Sequence, residues 1–337
     1  MADDKNVLDL HDIALLLNYE RGVTEPRFRH SKLRELARPG ETPKTVVLAK
    51  VWEDDARPRT TFIFDRSPDH ASKIDLTSPP DLPHNMIPTD ITAENRLTSL
   101  TTKELETIFW QARAHDGCYN SVTLFQHFFD LYLPSTLVRI RHGPSDTKGK
   151  VPGDAYITTL NKRVILEMTL VKPRHTIMAS VCPENNTYIS GQSKILLHAV
   201  VGFAPPDVED MTSVIDLSSM QFGDIGRGPG GKGQGLFALD TMDEFYDRME
   251  KVAHGKVDDE TKLSQRIGPC SDDPWLKKVA EKVKERWEER ASKKWCGHCG
   301  APLPDTKACS GCHNVWYCNQ EHQKLAWSFH KHYCKKT

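Results

Sequence analysis

The chain has no surplus of charge: its 45 lysines and arginines meet 46 aspartates and glutamates, for a formal net charge of −1. No global field therefore draws it to nucleic acid or to an anionic membrane surface, and nucleic-acid binding would need a local basic patch. It also lacks any apolar run near the roughly twenty residues that a bilayer crossing requires. The first residues, MADDKNVLDLHD, have neither the basic start nor the apolar core of a signal peptide. The reading is an intracellular protein, cytoplasmic or nuclear, with no membrane partner. Cysteine is sparse over most of the length: only Cys118, Cys182 and Cys270 lie outside a cluster of six between Cys296 and Cys334. In a reducing compartment such crowding means metal more readily than disulfides. No internal repeat is present, and 337 residues leave room for a globular body and an accessory module.

The body reads as helices followed by strands, an α+β pattern. A helical start covers Val7 to Tyr19, and strand candidates at Val46–Trp52 and Thr61–Phe64 flank a charged turn, as in a hairpin. Residues 66–95, with Pro79-Pro80, Pro83 and Pro88, read as a long surface loop. Thr101 with Glu104 forms a capping box for a helix to about Ala114, broken by His115-Asp116-Gly117. A second helix starts near Cys118, with Val122, Phe125, Phe128, Phe129 and Tyr132 on one face. Short β-rich runs follow at Leu137–Ile140, Val164–Val171, Thr176–Val181, Ile195–Phe203 and Val214–Leu217, as in an antiparallel meander. Thr241 with Glu244 caps a helix to about Val252. Asp273-Pro274 opens another, in which Trp275, Val279, Val283 and Trp287 recur every fourth residue, a semi-rigid lead toward the C-terminus. The expected division is a body at 1–270, a linker helix at 271–294 and a small metal-stabilised domain at 295–337.

That last domain contains two C-x-x-C knuckles, Cys296/Cys299 and Cys309/Cys312, then Cys318-x-x-x-His322 and His330-x-x-x-Cys334. On a helix, i, i+4 spacing puts two side chains on one face about a turn apart, as a tetrahedral zinc at about 2.0–2.3 Å requires. Eight ligands make two closed sites. His298, His313 and His332 fall outside this pattern. So short a segment buries little apolar surface, so metal must supply most of its folding energy.

With Tyr317-Cys318, Gln323 and Trp327 before His330, the segment resembles a MYND finger. The resemblance implies a cross-brace: one zinc on Cys296, Cys299, Cys318 and His322, the other on Cys309, Cys312, His330 and Cys334. It also implies recognition of a partner protein through a proline-containing peptide, for which Trp316 and Trp327 are groove candidates; the alternative is that they form the finger's own core. The sixth ligand, usually cysteine in that family, is His322, which zinc accepts. RING fingers close with another C-x-x-C, which is absent here.

In the body, Cys118 at a helix start, His198 on a strand and Asp216 on a later one form a candidate catalytic set. A helix N-terminus stabilises a thiolate, a histidine can take its proton, and a carboxylate can orient the histidine. The phrases GCYNS, LVRIRHG, HAVVGF and VIDLSS resemble, in that order, the core of transglutaminase-like and papain-like proteins. That resemblance implies a cysteine-bearing helix packed on a sheet that carries histidine and aspartate, although Val200 stands where an aromatic residue is often found. The competing reading makes Cys118 a buried, inert thiol. In GDIGRGPGGKGQG, Gly226, Gly228 and Gly231 match G-x-G-x-x-G without a βαβ unit, and Gly231-Lys232 lacks the Ser or Thr of a phosphate loop. GKGQGLFA resembles the opening of a SET methyltransferase, but no Asn-His motif follows. Two functions remain: a zinc-dependent protein-interaction module, or a cysteine hydrolase or acyltransferase using Cys118, His198 and Asp216.

Overall fold

The protein is described by a computed structural model covering residues 6–48, 50, 56–70, 74–92, 95–142, 155–228, 233–268, 273–302 and 307–335. In chain order, β1 (Leu8–Asp9), α1 (Leu10–Thr24), β2 (Lys32–Ala37) and β3 (Arg59–Asp65) precede the helices α2 (Thr102–Ala114) and α3 (Cys118–Phe129). The strands β4 (Leu137–Ile140), β5 (Tyr156–Thr159), β6 (Arg163–Pro173), β7 (Thr176–Cys182), β8 (Asn186–Ser190), β9 (Ile195–Phe203), β10 (Ser213–Asp216) and β11 (Ala238–Thr241) follow. Then come α4 (Met242–Val252), β12 (Ala253–Lys256), β13 (Lys262–Ser264) and α5 (Pro274–Glu288), and last β14 (Lys307–Ala308), β15 (Trp316–Tyr317) and α6 (Gln320–His330). Among the described residues no helix is long and apolar enough to cross a membrane.

The α+β class holds. An antiparallel sheet runs β11-β10-β9-β6-β12, with β13 also paired to β6. A second sheet, β2-β3-β7-β8, is mixed, because β3 lies parallel to β7. Burial along β7 is nearly continuous, as expected for a strand covered on both faces. A third sheet, β1-β4-β5, is also mixed.

The hairpin expected between Val46–Trp52 and Thr61–Phe64 does not form. Residues 46–48 are not a strand, Ala49 and residues 51–52 lie outside the described set, and β3 pairs with β2 instead. Leu33, Leu36, Phe62 and Phe64 are all buried in one core, which gives β2 the apolar partner face that the charged turn could not supply. The 66–95 segment, expected as a surface loop, is pinned where it is described. Buried Arg29 donates to the carbonyls of Asp75, Ser78 and Pro79, and pairs with the Asp81 carboxylate at 2.9 Å. Gly231, Lys232 and Cys270 lie outside the described residues.

Both capping boxes are present, Thr101 with Glu104 and Thr241 with Glu244. Strand alternation sorts β9 between two layers: Ala199, Val201 and Phe203 pack with α1, α3 and α5, whereas Val200 packs with α4. α5 is capped by Asp273 and runs up to the C-terminal segment, as its pattern predicts. Its apolar face lies deep in the body: Trp275, Leu276, Val279, Ala280 and Val283 are each at most 2% exposed, and the Trp275 indole donates to Thr24 Oγ1 at 3.0 Å. Gly226 is a packing residue, since a Cβ there would meet the Ser219 carbonyl oxygen at 1.8 Å.

Candidate metal centre

The C-terminal segment organises its ligands with little backbone. Cys296 accepts from Gly300 N–H at 2.9 Å, and Gly300 turns at φ +77°, closing the first knuckle. Cys309 likewise accepts from His313 N–H at 2.9 Å. β14 and β15 form a two-residue ladder beside them. Asn319 caps α6 by accepting from His322 N–H at 2.8 Å, which fixes the helix that carries His322 and His330.

Two clusters result, Cys296, Cys299, Cys318 and His322, and Cys309, Cys312, His330 and Cys334, each with its ligand atoms within 4.8 Å of one another. In the first, Cys296 Sγ to His322 Nδ1 is 3.3 Å and Cys299 Sγ to Cys318 Sγ is 3.7 Å. In the second, Cys312 Sγ to His330 Nε2 is 3.5 Å and Cys309 Sγ to Cys334 Sγ is 3.9 Å. A zinc tetrahedron with bonds of about 2.3 Å to sulfur and about 2.0 Å to nitrogen has edges near 3.8 Å between sulfurs and near 3.5 Å from sulfur to nitrogen. The observed separations match those edges.

The donor chemistry fits a cation. Burial lowers the His322 pKa, but hydrogen bonds to Cys296 and Cys318 outweigh it and carry the pKa up to about 10. At His330 burial, and then Arg141, lower the pKa, which favours the neutral imidazole that binds metal. Four protein ligands leave no open position for water, so zinc here is structural.

The finger is packed onto the body. His298, inside the first knuckle, is buried and bonds Glu106 Oε1 of α2 through Nε2 at 2.9 Å. The His11 ring stacks on Phe329 at 3.8 Å, Arg141 lies over the rings of Phe329 and Tyr333, and Tyr333 Oη donates to the His142 carbonyl at 2.7 Å. Arg286 of α5 donates to the Gly300 carbonyl at 2.7 Å. His313 and His332 are exposed. Trp316 and Trp327 both lie outside the finger's core of Cys296, Cys309, Cys312, Tyr317 and Ala326. Trp327 is 46% exposed, and the Lys294 ammonium sits 4.6 Å from the half-buried Trp316 ring.

The structure brings Cys118, His198 and Asp216 together, all buried. His198 Nε2 lies 3.0 Å from Asp216 Oδ2, whose partner oxygen accepts from Ser218 N–H and Oγ–H at 2.8 Å each. Burial alone would lower the His198 pKa, but the Asp216 charge outweighs it and carries it up to about 10. Burial raises the Asp216 pKa, and His198 more than offsets this, so it ends below its ordinary value. The Cys118 thiol donates to the Leu197 carbonyl at 3.7 Å. It is near enough to act on the imidazole, yet His198 Nδ1 has no well-formed hydrogen bond. The three are 2%, 1% and 2% exposed, and the His198 ring lies between Phe222 and Phe245.

Sequence reasoning missed Glu106. Its signal was present: with Phe109, Trp110 and Arg113 it occupies i, i+3, i+4 and i+7 of α2, all buried, a carboxylate on the packed face of a helix.

No curated protein and no solved structure matches the chain. Residues 296–334 match the MYND finger family. The chain therefore carries a C-terminal MYND finger whose two cysteine and histidine clusters fit two zinc ions.

Proposed function

We propose that this protein is a partner-binding module of a reducing compartment, in which body and zinc finger form one unit and the finger's tryptophans receive a proline-containing peptide. One observation carries the reading: Trp316 and Trp327 stand outside the finger's core, Trp327 exposed and Trp316 half-buried. Aromatic grooves recognise extended proline-rich segments because such a segment is already ordered before it binds.

The Cys118, His198 and Asp216 group reads as a buried polar brace within a transglutaminase-like arrangement. A nucleophile must reach its substrate, and all three side chains are sealed. Titration of the zinc-loaded chain with proline-containing peptides, followed by NMR, tests the proposal. Indole signals of Trp316 and Trp327 are expected to shift, and Trp327→Ala to weaken binding on the order of thirtyfold, as for a central aromatic anchor worth about 2 kcal/mol. Both zincs should remain in the variant. Shifts that leave both tryptophans untouched would refute it.

A further inference from the structure

The geometry assigns to Glu106, a residue of the body, the role of outer carboxylate of the first zinc site, so that metal retention in the finger depends on its docking. This rests on zinc filling the cluster of Cys296, Cys299, Cys318 and His322. His322 turns Nδ1 toward the Cys296 sulfur at 3.3 Å, which leaves its Nε2–H to face away from the metal. Glu106 lies close to that ring: one ligand-type atom each of Glu106, His298 and His322 comes within 4.8 Å of the others, and the two imidazole rings are 4.9 Å apart.

A histidine on zinc commonly gives its second ring N–H to a carboxylate or carbonyl, which fixes the tautomer and strengthens the ligand. Glu106 is suited to this because it is itself held. It is 4% exposed, its Oε1 accepts from His298 and its Oε2 accepts from Arg227 Nη1 and Nη2 at 3.2 Å each. Arg227 in turn donates to the Gln234 carbonyl and to Thr107 Oγ1. The same guanidinium argues against a third metal among Glu106, His298 and His322, since a divalent ion would face a fixed cation across one carboxylate. The body thus supplies through α2 what the finger's small core cannot, a rigid hold on the imidazole of its unusual sixth ligand.

The test uses the full chain loaded with zinc and challenged with a chromophoric chelator. Cys296→Ser, which damages the first site, identifies that site's release phase. In Glu106→Gln this phase is expected to accelerate about 10- to 100-fold, the usual cost of losing an outer partner, with the second site's phase unchanged. Unchanged rates in both phases, or equal acceleration of both, would overturn the assignment. A measurement on the unmodified chain guards against misfolding of the variant. The His322 Nε2–H should be seen by ¹⁵N NMR as a slowly exchanging, hydrogen-bonded proton, and a rapidly exchanging one would also overturn it. A chain that shows no first-site zinc at all would instead refute the zinc reading beneath it.

Discussion

Replacing Asp216 by alanine should destabilise the body by about 3–5 kcal/mol at neutral pH, because it strips a buried histidine of its counter-charge. Two routes give this size. His198 is held up at about 10 in the fold, against about 6.5 for a free imidazole, and carrying that difference to pH 7 corresponds to roughly 4 kcal/mol. Independently, removing one partner of a buried ion pair costs about 3–5 kcal/mol. The pH dependence follows from the two directions. The raised His198 contributes in full below about 6.5 and loses its contribution as pH rises toward about 10. The lowered Asp216 contributes above about 3.9, its value in an unfolded chain, and loses this as pH falls through its folded value. The gap between wild type and Asp216→Ala should therefore be widest between about pH 4 and 6.5, and narrower by pH 9.5. Urea unfolding of the zinc-loaded chain, followed by tryptophan fluorescence at pH 6 and pH 9.5, measures it through the midpoint. Asp216→Asn keeps an acceptor for Ser218 and should cost less than alanine. A gap below about 1 kcal/mol, or one equal at both pH values, would refute the argument that the pair is a buried ionic brace.

Metal analysis should return two zincs per chain, one after Cys309→Ala and two after His322→Cys, since thiolate is an equivalent ligand; a His322→Cys chain with one zinc would contradict the ligand assignment. A thiol probe should label half-buried Cys182 before buried Cys118, and mass spectrometry showing Cys118 first would revive the nucleophile. Trp275→Ala should cost about 3–5 kcal/mol of body stability, as for a large core truncation; a cost near zero would mean that α5 is a detached lead. Gly300→Ala combines a left-handed turn with a Cβ 2.4 Å from the Leu15 carbonyl oxygen. It should loosen the finger from the body, seen as faster amide exchange around Leu15, and unchanged exchange would refute the close approach.

What the sequence determined by itself was local. Knuckle and i, i+4 spacings set ligand positions within a turn or two of backbone, so all eight ligands were legible before any fold was known, whereas which pairs share an ion came only from the MYND resemblance. Capping boxes at Thr101 and Thr241 are likewise satisfied by atoms three residues apart. Tertiary structure decided what depends on distant partners. Glu106 and His298 meet across 192 residues, and nothing in either neighbourhood names the other. The β3–β7 parallel pairing joins strands separated by the whole helical region, whereas the charged turn after Trp52 predicted a local hairpin. The pattern of Trp275 to Trp287 gave α5 an apolar face, but only the positions of α1 and α3 turned that face into the body's core. The chemistry of Cys118, His198 and Asp216 was readable from residue type and order. Their role was not, because burial is a property of everything packed around them, here Phe222 and Phe245 against the imidazole.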